Sequence, residues 1–145
     1  MQIRSLTEGA IRTVLYLAQS GQGRLVPGPE ICRTQEISPQ FLIKVVRCLA
    51  RRKIISGARG VGGGFRLARP PEEISLLEVV ESAQGPFVYN ECLLGPGTCS
   101  RESRCPVHLV WRQVQESTET ILSNWTVADL AWVASMRQRP DAKDS

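Results

Sequence analysis

No stretch of this chain approaches the roughly 20 consecutive apolar residues that a bilayer-spanning helix requires. The start Met1-Gln-Ile-Arg lacks the apolar core and small-residue cleavage site of a signal peptide. Both absences give a cytoplasmic location, with no membrane partner, as the expectation. Histidine is nearly missing too, His108 being the only one. No Ser, His and Asp arrangement can be assembled around it, and there is neither a phosphate-binding glycine motif nor a Cys-x-x-Cys redox pair. An enzyme is therefore not expected, and a redox enzyme or cluster carrier is the weakest of the functional readings. Acids are scarce where bases are not. Between Arg33 and Arg69 nine Lys or Arg face one acid, Glu36, whereas from Phe87 onward six bases meet seven acids. Such a split predicts a polyanion partner for the first half and another role for the second.

A paired set of cysteines is also absent: there are five, an odd count without secretory context, which disfavours a disulfide scaffold. Cys32 and Cys48 lie in apolar helical patterns and read as core. Cys92, Cys99 and Cys105 do not. Together with His108 they fall within seventeen residues of a loop rich in glycine, proline and small polar groups. Thiolates favour iron–sulfur clusters, zinc and Cu(I). Structural zinc recruits cysteines in tight Cys-x2-4-Cys pairs, and spacings of six and five residues fit that poorly. A wide loop over a multi-iron cluster fits better, with zinc or a metal-free thiol switch as the alternatives.

At 145 residues and 42% apolar content the chain suffices for one compact domain, or a small domain with a helical accessory part. Apolar residues recur at helical spacing from Thr7, a candidate cap, to about Gln19. A second, short helix is predicted from Pro29 through Gln35. Ser38-Pro39 opens a third, with Phe41, Leu42, Val45, Val46 and Leu49 on one face and Gln40, Lys44, Arg47 and Arg51 on the other. Two helices with a tight turn, the second basic outside, form the helix-turn-helix pattern. Ile54-Ile-Ser and Phe65-Arg-Leu-Ala then flank the glycine-rich turn 57–64, predicting a hairpin wing. The wing's glycines let its backbone approach phosphates closely and bring Arg59 to the minor groove.

After Pro70-Pro71 a fourth helix is predicted from Ile74 to Gly85, where the first unit closes. Val107, Val110, Trp111, Val114, Thr118, Ile121, Leu122 and Trp125 repeat at three and four, giving a helix longer than a monomer this size needs and suited to a partner. Thr126-Val-Ala-Asp129 reads as a capping box opening a last helix. The expected organisation is mainly α with a small β wing: a winged helix-turn-helix domain over 1–86, a cysteine-bearing loop over 87–104, a dimerisation helix and C-terminal helix over 105–138, and a flexible tail over 139–145.

Several of these pieces together resemble the Rrf-type bacterial regulators, whose iron–sulfur branch includes IscR, NsrR and RirA. The start Met1-Gln-Ile-Arg-Ser-Leu-Thr-Glu-Gly-Ala, the run Ile37-Ser-Pro-Gln-Phe-Leu, the wing Gly60-Val-Gly-Gly-Gly-Phe-Arg-Leu-Ala-Arg and the junction Cys105-Pro-Val-His-Leu-Val-Trp-Arg carry the likeness, over about residues 1 to 133. The resemblance implies a homodimer of winged-helix domains over a near-palindromic operator in double-stranded DNA. It further implies one iron–sulfur cluster per subunit, 2Fe-2S or 4Fe-4S, with Cys92, Cys99 and Cys105 as ligands and repression as the output. IscR-like members use a histidine three residues after the third cysteine, which His108 matches; NsrR-like members use an acid of the other subunit at the place of Glu8. The first two cysteines here are separated by six residues rather than the five usual in those groups.

For DNA, residues at the start of the recognition helix reach base edges, so Gln40 and Lys44 are the candidates for reading sequence. Arg47, Arg51 and Arg59 are expected on phosphates or in the minor groove, with Ser38, Gly60 and Gly62 completing the contacting set. Arg51→Ala is accordingly expected to weaken binding to all sequences and flatten its salt dependence, and Gln40→Ala to blunt discrimination between operators. Equal losses on specific and random DNA for Gln40→Ala, measured by fluorescence anisotropy, would overturn that division.

Overall fold

The computed structural model of the protein describes residues 3–138; the tail expected over 139–145 lies outside them. Among these described residues six α-helices and one two-stranded sheet follow in order: α1 (Ser5–Gln19), α2 (Gly28–Gln35), α3 (Pro39–Arg51), β1 (Ile55–Ala58), β2 (Gly64–Leu67), α4 (Leu76–Gln84), α5 (Pro106–Asn124) and α6 (Val127–Arg137). The fold is mainly α with a small β wing, as the sequence predicts.

Helix α1 lies at the centre, buried along Thr7, Gly9, Ala10, Thr13, Val14 and Leu17. It starts two residues before the predicted cap. Arg4 is the extended residue at its N-terminus and offers no side-chain cap, so the expected capping role of Thr7 does not hold. A cap needs extended backbone; Thr7 is already helical and fully buried, and its hydroxyl donates to Gln84 Oε1 of α4 at 2.7 Å. Helix α3 begins as expected, with Ser38 Oγ accepting from the Phe41 N–H at 3.1 Å. Its Leu42, Val45, Cys48 and Leu49 are buried, which leaves the opposite face to solvent.

Strands β1 and β2 pair antiparallel with Ile55 opposite Leu67 and Ala58 opposite Gly64. The hairpin does not stand alone. Val26, before α2, exchanges both backbone hydrogen bonds with Phe65 at 2.8 Å and ties the wing to the helix-turn-helix. Gly64 makes this approach feasible: its φ is +151°, and a Cβ there would lie 2.3 Å from the Val26 carbonyl oxygen.

Two capping boxes hold α4 and α6. In the first, Ser75 Oγ accepts from the Glu78 N–H while Glu78 accepts from the Ser75 N–H; Thr126 and Asp129 repeat the pattern on α6. These two helix starts then pair with each other. The Leu76 N–H donates to the Trp125 carbonyl and the Val127 N–H to the Ile74 carbonyl, both at 2.8 Å. Val127 consequently enters the same core as Ala10, Val14, Leu49 and Ile74. The sequence grouped α6 with the dimerisation helix and closed the first unit at Gly85; the structure brings α6 back onto that unit through a pairing of distant segments.

Changing Gly64 to Ala is expected to cost about 1–3 kcal/mol, because a side chain there is both strained and in collision with Val26; the midpoint of urea unfolding measures it. A pH effect is also expected. Partial burial pushes the Glu78 carboxyl up, but the Ser75 N–H and the Arg69 guanidinium at 2.7 Å outweigh it and hold it below its ordinary value. The Thr126 N–H does the same to Asp129. A lowered pKa gives stability that is present above the unfolded value of about 4 and lost as pH falls through the folded one. Glu78→Gln should therefore lower stability at neutral pH and flatten the acid limb of a stability–pH profile.

Candidate nucleic-acid face and cysteine-lined site

Gln40, Lys44, Arg47 and Arg51 lie along the exposed face of α3, and Ser38 stands exposed at its start. None of the four basic residues Lys44, Arg47, Arg51 and Arg59 belongs to an ion pair among the described residues. Their charges are free for an external anion. One residue on this face was missed from sequence: Ile43, an apolar side chain 58% exposed between Gln40 and Arg47. Its signal was available, since it falls outside the Leu42, Val45, Val46 and Leu49 stripe. At the wing tip Arg59, Gly60, Val61 and Gly62 are all exposed. Gly60 and Gly62 have φ of +92° and +77°, and the Gly63 N–H closes the turn onto the Gly60 carbonyl at 3.0 Å. The wing tip thus presents backbone and the Arg59 guanidinium beside the exposed Val61, and backbone with a guanidinium suits a phosphate backbone.

The cysteine loop is built from short local turns. Asn90 Oδ1 accepts from the Glu91 N–H and starts a 3-10 turn that carries Cys92. Glu102 accepts from the Gly97 N–H at 3.0 Å and folds the segment bearing Cys99 back toward the helix start. Cys105 is the N-cap of α5 in extended conformation, Pro106 follows at the first helical position, and the His108 N–H donates to the Cys105 carbonyl at 3.2 Å. Cys92, Cys99, Cys105 and His108 all line one hollow of about 340 Å3, with Glu91 and Glu102 also on its wall. His108 Nδ1 is buried and has no hydrogen-bond partner. Such an orphaned donor or acceptor costs free energy unless something meets it.

Glu8 is exposed on the first turn of α1 and does not line this hollow. Among the described residues, no three His, Cys, Asp or Glu converge closely enough to hold a single metal ion. The four residues line one space without converging on a point. Cys32 is half-buried beside the core. Cys48 is 4% exposed, its Sγ donates to the Val45 carbonyl at 3.1 Å, and burial pushes its thiol pKa up, which makes it an inert packing residue.

The loop is fastened to the long helix. Gln115 of α5 donates to the Phe87 carbonyl and accepts from the Tyr89 N–H, and the Tyr89 and Thr118 hydroxyls meet at 3.1 Å. Phe87 and Tyr89 stack edge to face with ring centres 5.1 Å apart. No residue of α5 is buried, and Val107, Leu109, Val110, Trp111 and Ile121 stand exposed along it. No helix among the described residues is long and apolar enough to cross a membrane.

Residues 3–132 match the model of the Rrf2 family, described as an iron-dependent transcriptional regulator. The chain is 31% identical over 131 residues to the HTH-type transcriptional regulator NsrR of Shouchella clausii, covering 90% of this chain and 88% of that one. Among solved structures it is similar to CymR, the global cysteine regulator of B. subtilis, with a TM-score of 0.75 at 21% identity, covering 92% of this chain and 98% of the other. It is also similar to T. potens IscR, with a TM-score of 0.74 at 22% identity, covering 96% and 92%. At those identities the two structures speak for the fold alone. Taken with the exposed basic helix and the wing, the match over nearly the whole chain shows that this protein belongs to the Rrf2 family of transcriptional regulators.

Proposed function

We propose that the protein is an operator-binding repressor whose DNA affinity is controlled by an iron–sulfur cluster, 2Fe-2S in preference to 4Fe-4S, held by Cys92, Cys99, Cys105 and His108. The observation that carries this reading is the common hollow: Cys92 and Cys99 from two loop turns, with Cys105 and His108 from the start of α5, line the same space, and His108 Nδ1 is buried without a partner. Three soft thiolates with one imidazole are a donor set suited to iron–sulfur chemistry. The iron-dependent description of the family supports it. When bound, the cluster supplies a centre that responds to iron supply, redox state or nitric oxide. Glu8 is the second candidate for the fourth ligand, donated from a partner subunit.

The chain's own residues carry the response to the DNA. Gln115, Tyr89 and Thr118 tie the loop to α5, so a change in loop shape alters the setting of that helix. The exposed apolar row on α5 is the homodimer seam in this reading, since a face of this kind loses free energy while it stays in water. A two-fold dimer sets two copies of α3 about 34 Å apart, one turn of DNA, over a near-palindromic operator. Bases are read from Gln40 and Lys44, and phosphates or the minor groove are held by Ser38, Arg47, Arg51, Arg59, Gly60 and Gly62. Such a protein works in the cytoplasm.

Absorption and circular dichroism of protein purified without oxygen, with iron and sulfide assayed on the same sample, test the reading. Visible bands with iron and sulfide in near-equal amounts are expected, and His108→Ala should shift the bands while Glu8→Ala leaves them in place. The reverse pattern would move the fourth ligand to Glu8. A colourless, iron-free protein that still binds operator would overturn the cluster and favour a thiol switch or zinc.

A further inference from the structure

A second space, larger and of opposite character to the cysteine hollow, opens beside the reading face. It is a groove of about 810 Å3 between α2, α3 and the base of the wing, and the two spaces share no residue. Gly28 and Cys32 form one wall, Leu42, Ile43 and Val46 the other, and Phe65 closes the end. Its volume falls in the range of roughly 300–1,000 Å3 typical of small-molecule sites. Water held between such walls makes few hydrogen bonds and is readily displaced by an apolar group.

The polar groups on the groove all carry one sign. Arg33 and Arg47 are its only charged residues, both are exposed, and neither belongs to an ion pair among the described residues. Glu30, near Arg33, is already engaged by Arg24 at 2.9 Å and by the Tyr16 hydroxyl at 2.7 Å. An apolar slot flanked by two uncommitted guanidiniums is complementary to a molecule with an apolar body and one anionic end.

We propose that this groove binds an amphipathic monoanion, an apolar chain or ring ending in a carboxylate, with the body against Ile43, Val46 and Phe65 and the carboxylate between Arg33 and Arg47. Arg47 also belongs to the DNA-reading face. Ligand and operator therefore compete for it, and the ligand lowers operator affinity. That competition rests on the DNA-binding reading above; the binding itself does not.

Binding is measured first without DNA, by calorimetric titration of the full chain with octanoate, decanoate and dodecanoate below their micelle-forming concentrations. One saturable site per chain is expected, tightening roughly threefold to fourfold per added methylene until the groove is full. Arg33→Gln should weaken decanoate binding about tenfold, as loss of a charge-assisted hydrogen bond does. Decyltrimethylammonium should bind far more weakly than decanoate. Ile43→Ser, at an exposed position that folding tolerates, should flatten the chain-length series. Non-saturable uptake, equal binding of the cation, or affinities untouched by both variants would overturn the proposal. Anisotropy of a labelled operator fragment is the separate arm. Decanoate should displace it competitively, and a protein that takes decanoate but no operator keeps the groove site while losing the DNA reading. Operator binding with no decanoate site gives the groove to DNA and overturns the proposal, as does self-association abolished by Ile43→Ser, which gives it to a second copy.

Discussion

The close approach of α1 to α3 is the constraint on which the rest of the molecule depends. It is possible only because residue 9 has no side chain: a Cβ at Gly9 would stand 2.6 Å from the Phe41 ring and 3.2 Å from Val45. With the two helices in contact, Ala10 and Val14 meet Leu42, Val45 and Leu49 in one core, where small misfits are felt because interiors are packed to crystal density. The polar stripe of α3 is thereby turned to solvent. Recognition of DNA thus begins as a packing fact, since the basic face points outward only as long as its apolar face is held inward.

Two kinds of cysteine environment follow from the same packing logic. Cys48 sits inside the core with its thiol donating to the helix backbone, and burial outweighs Ser82 and Arg51, the neighbours that favour a thiolate. Cys92, Cys99 and Cys105 sit on short turns outside the core, half-buried, where a loop of glycines and prolines bends around a common space. Hydrogen bonds from Gln115 and Tyr89 attach that loop to an α5 on which no residue is fully buried and an apolar row stays exposed. In the proposed reading, a sensing loop fixed to a helix with an exposed apolar row is a coupling device once that row has a partner. The same hydrogen bonds are modest singly, so small changes in the loop suffice to shift them.

Charge distribution divides the labour. The segment from Arg33 to Arg69, with nine bases against one acid, carries more positive charge than the whole chain's net of +4, and its Lys44, Arg47, Arg51 and Arg59 are in no ion pair among the described residues, whereas Arg69 is consumed by Glu78 and the Lys53 and Glu73 carbonyls. Arg69 is therefore a structural strut between the wing and α4, a role its charge alone does not distinguish from that of its neighbours. Ile43 adds an apolar element to a face that composition describes as merely basic.

What the sequence determined by itself is everything governed by neighbours a few residues apart. The Ser38 cap, the Thr126–Asp129 box, the glycine wing and the exposed row of α3 were legible because caps, turns and helical faces are settled within one or two turns of chain. The four candidate ligands Cys92, Cys99, Cys105 and His108 were legible as a cluster for the same reason. Tertiary structure alone decided what depends on segments far apart. Thr7 turned out to bond Gln84 rather than cap its helix, α6 returned to the first unit through Ile74 and Val127, and Val26 joined the wing to the helix-turn-helix. It also left Glu8 away from the hollow of its own chain and opened the groove beneath Ile43. Those arrangements arise when separate apolar faces close on each other, and no local pattern encodes which distant face will be met.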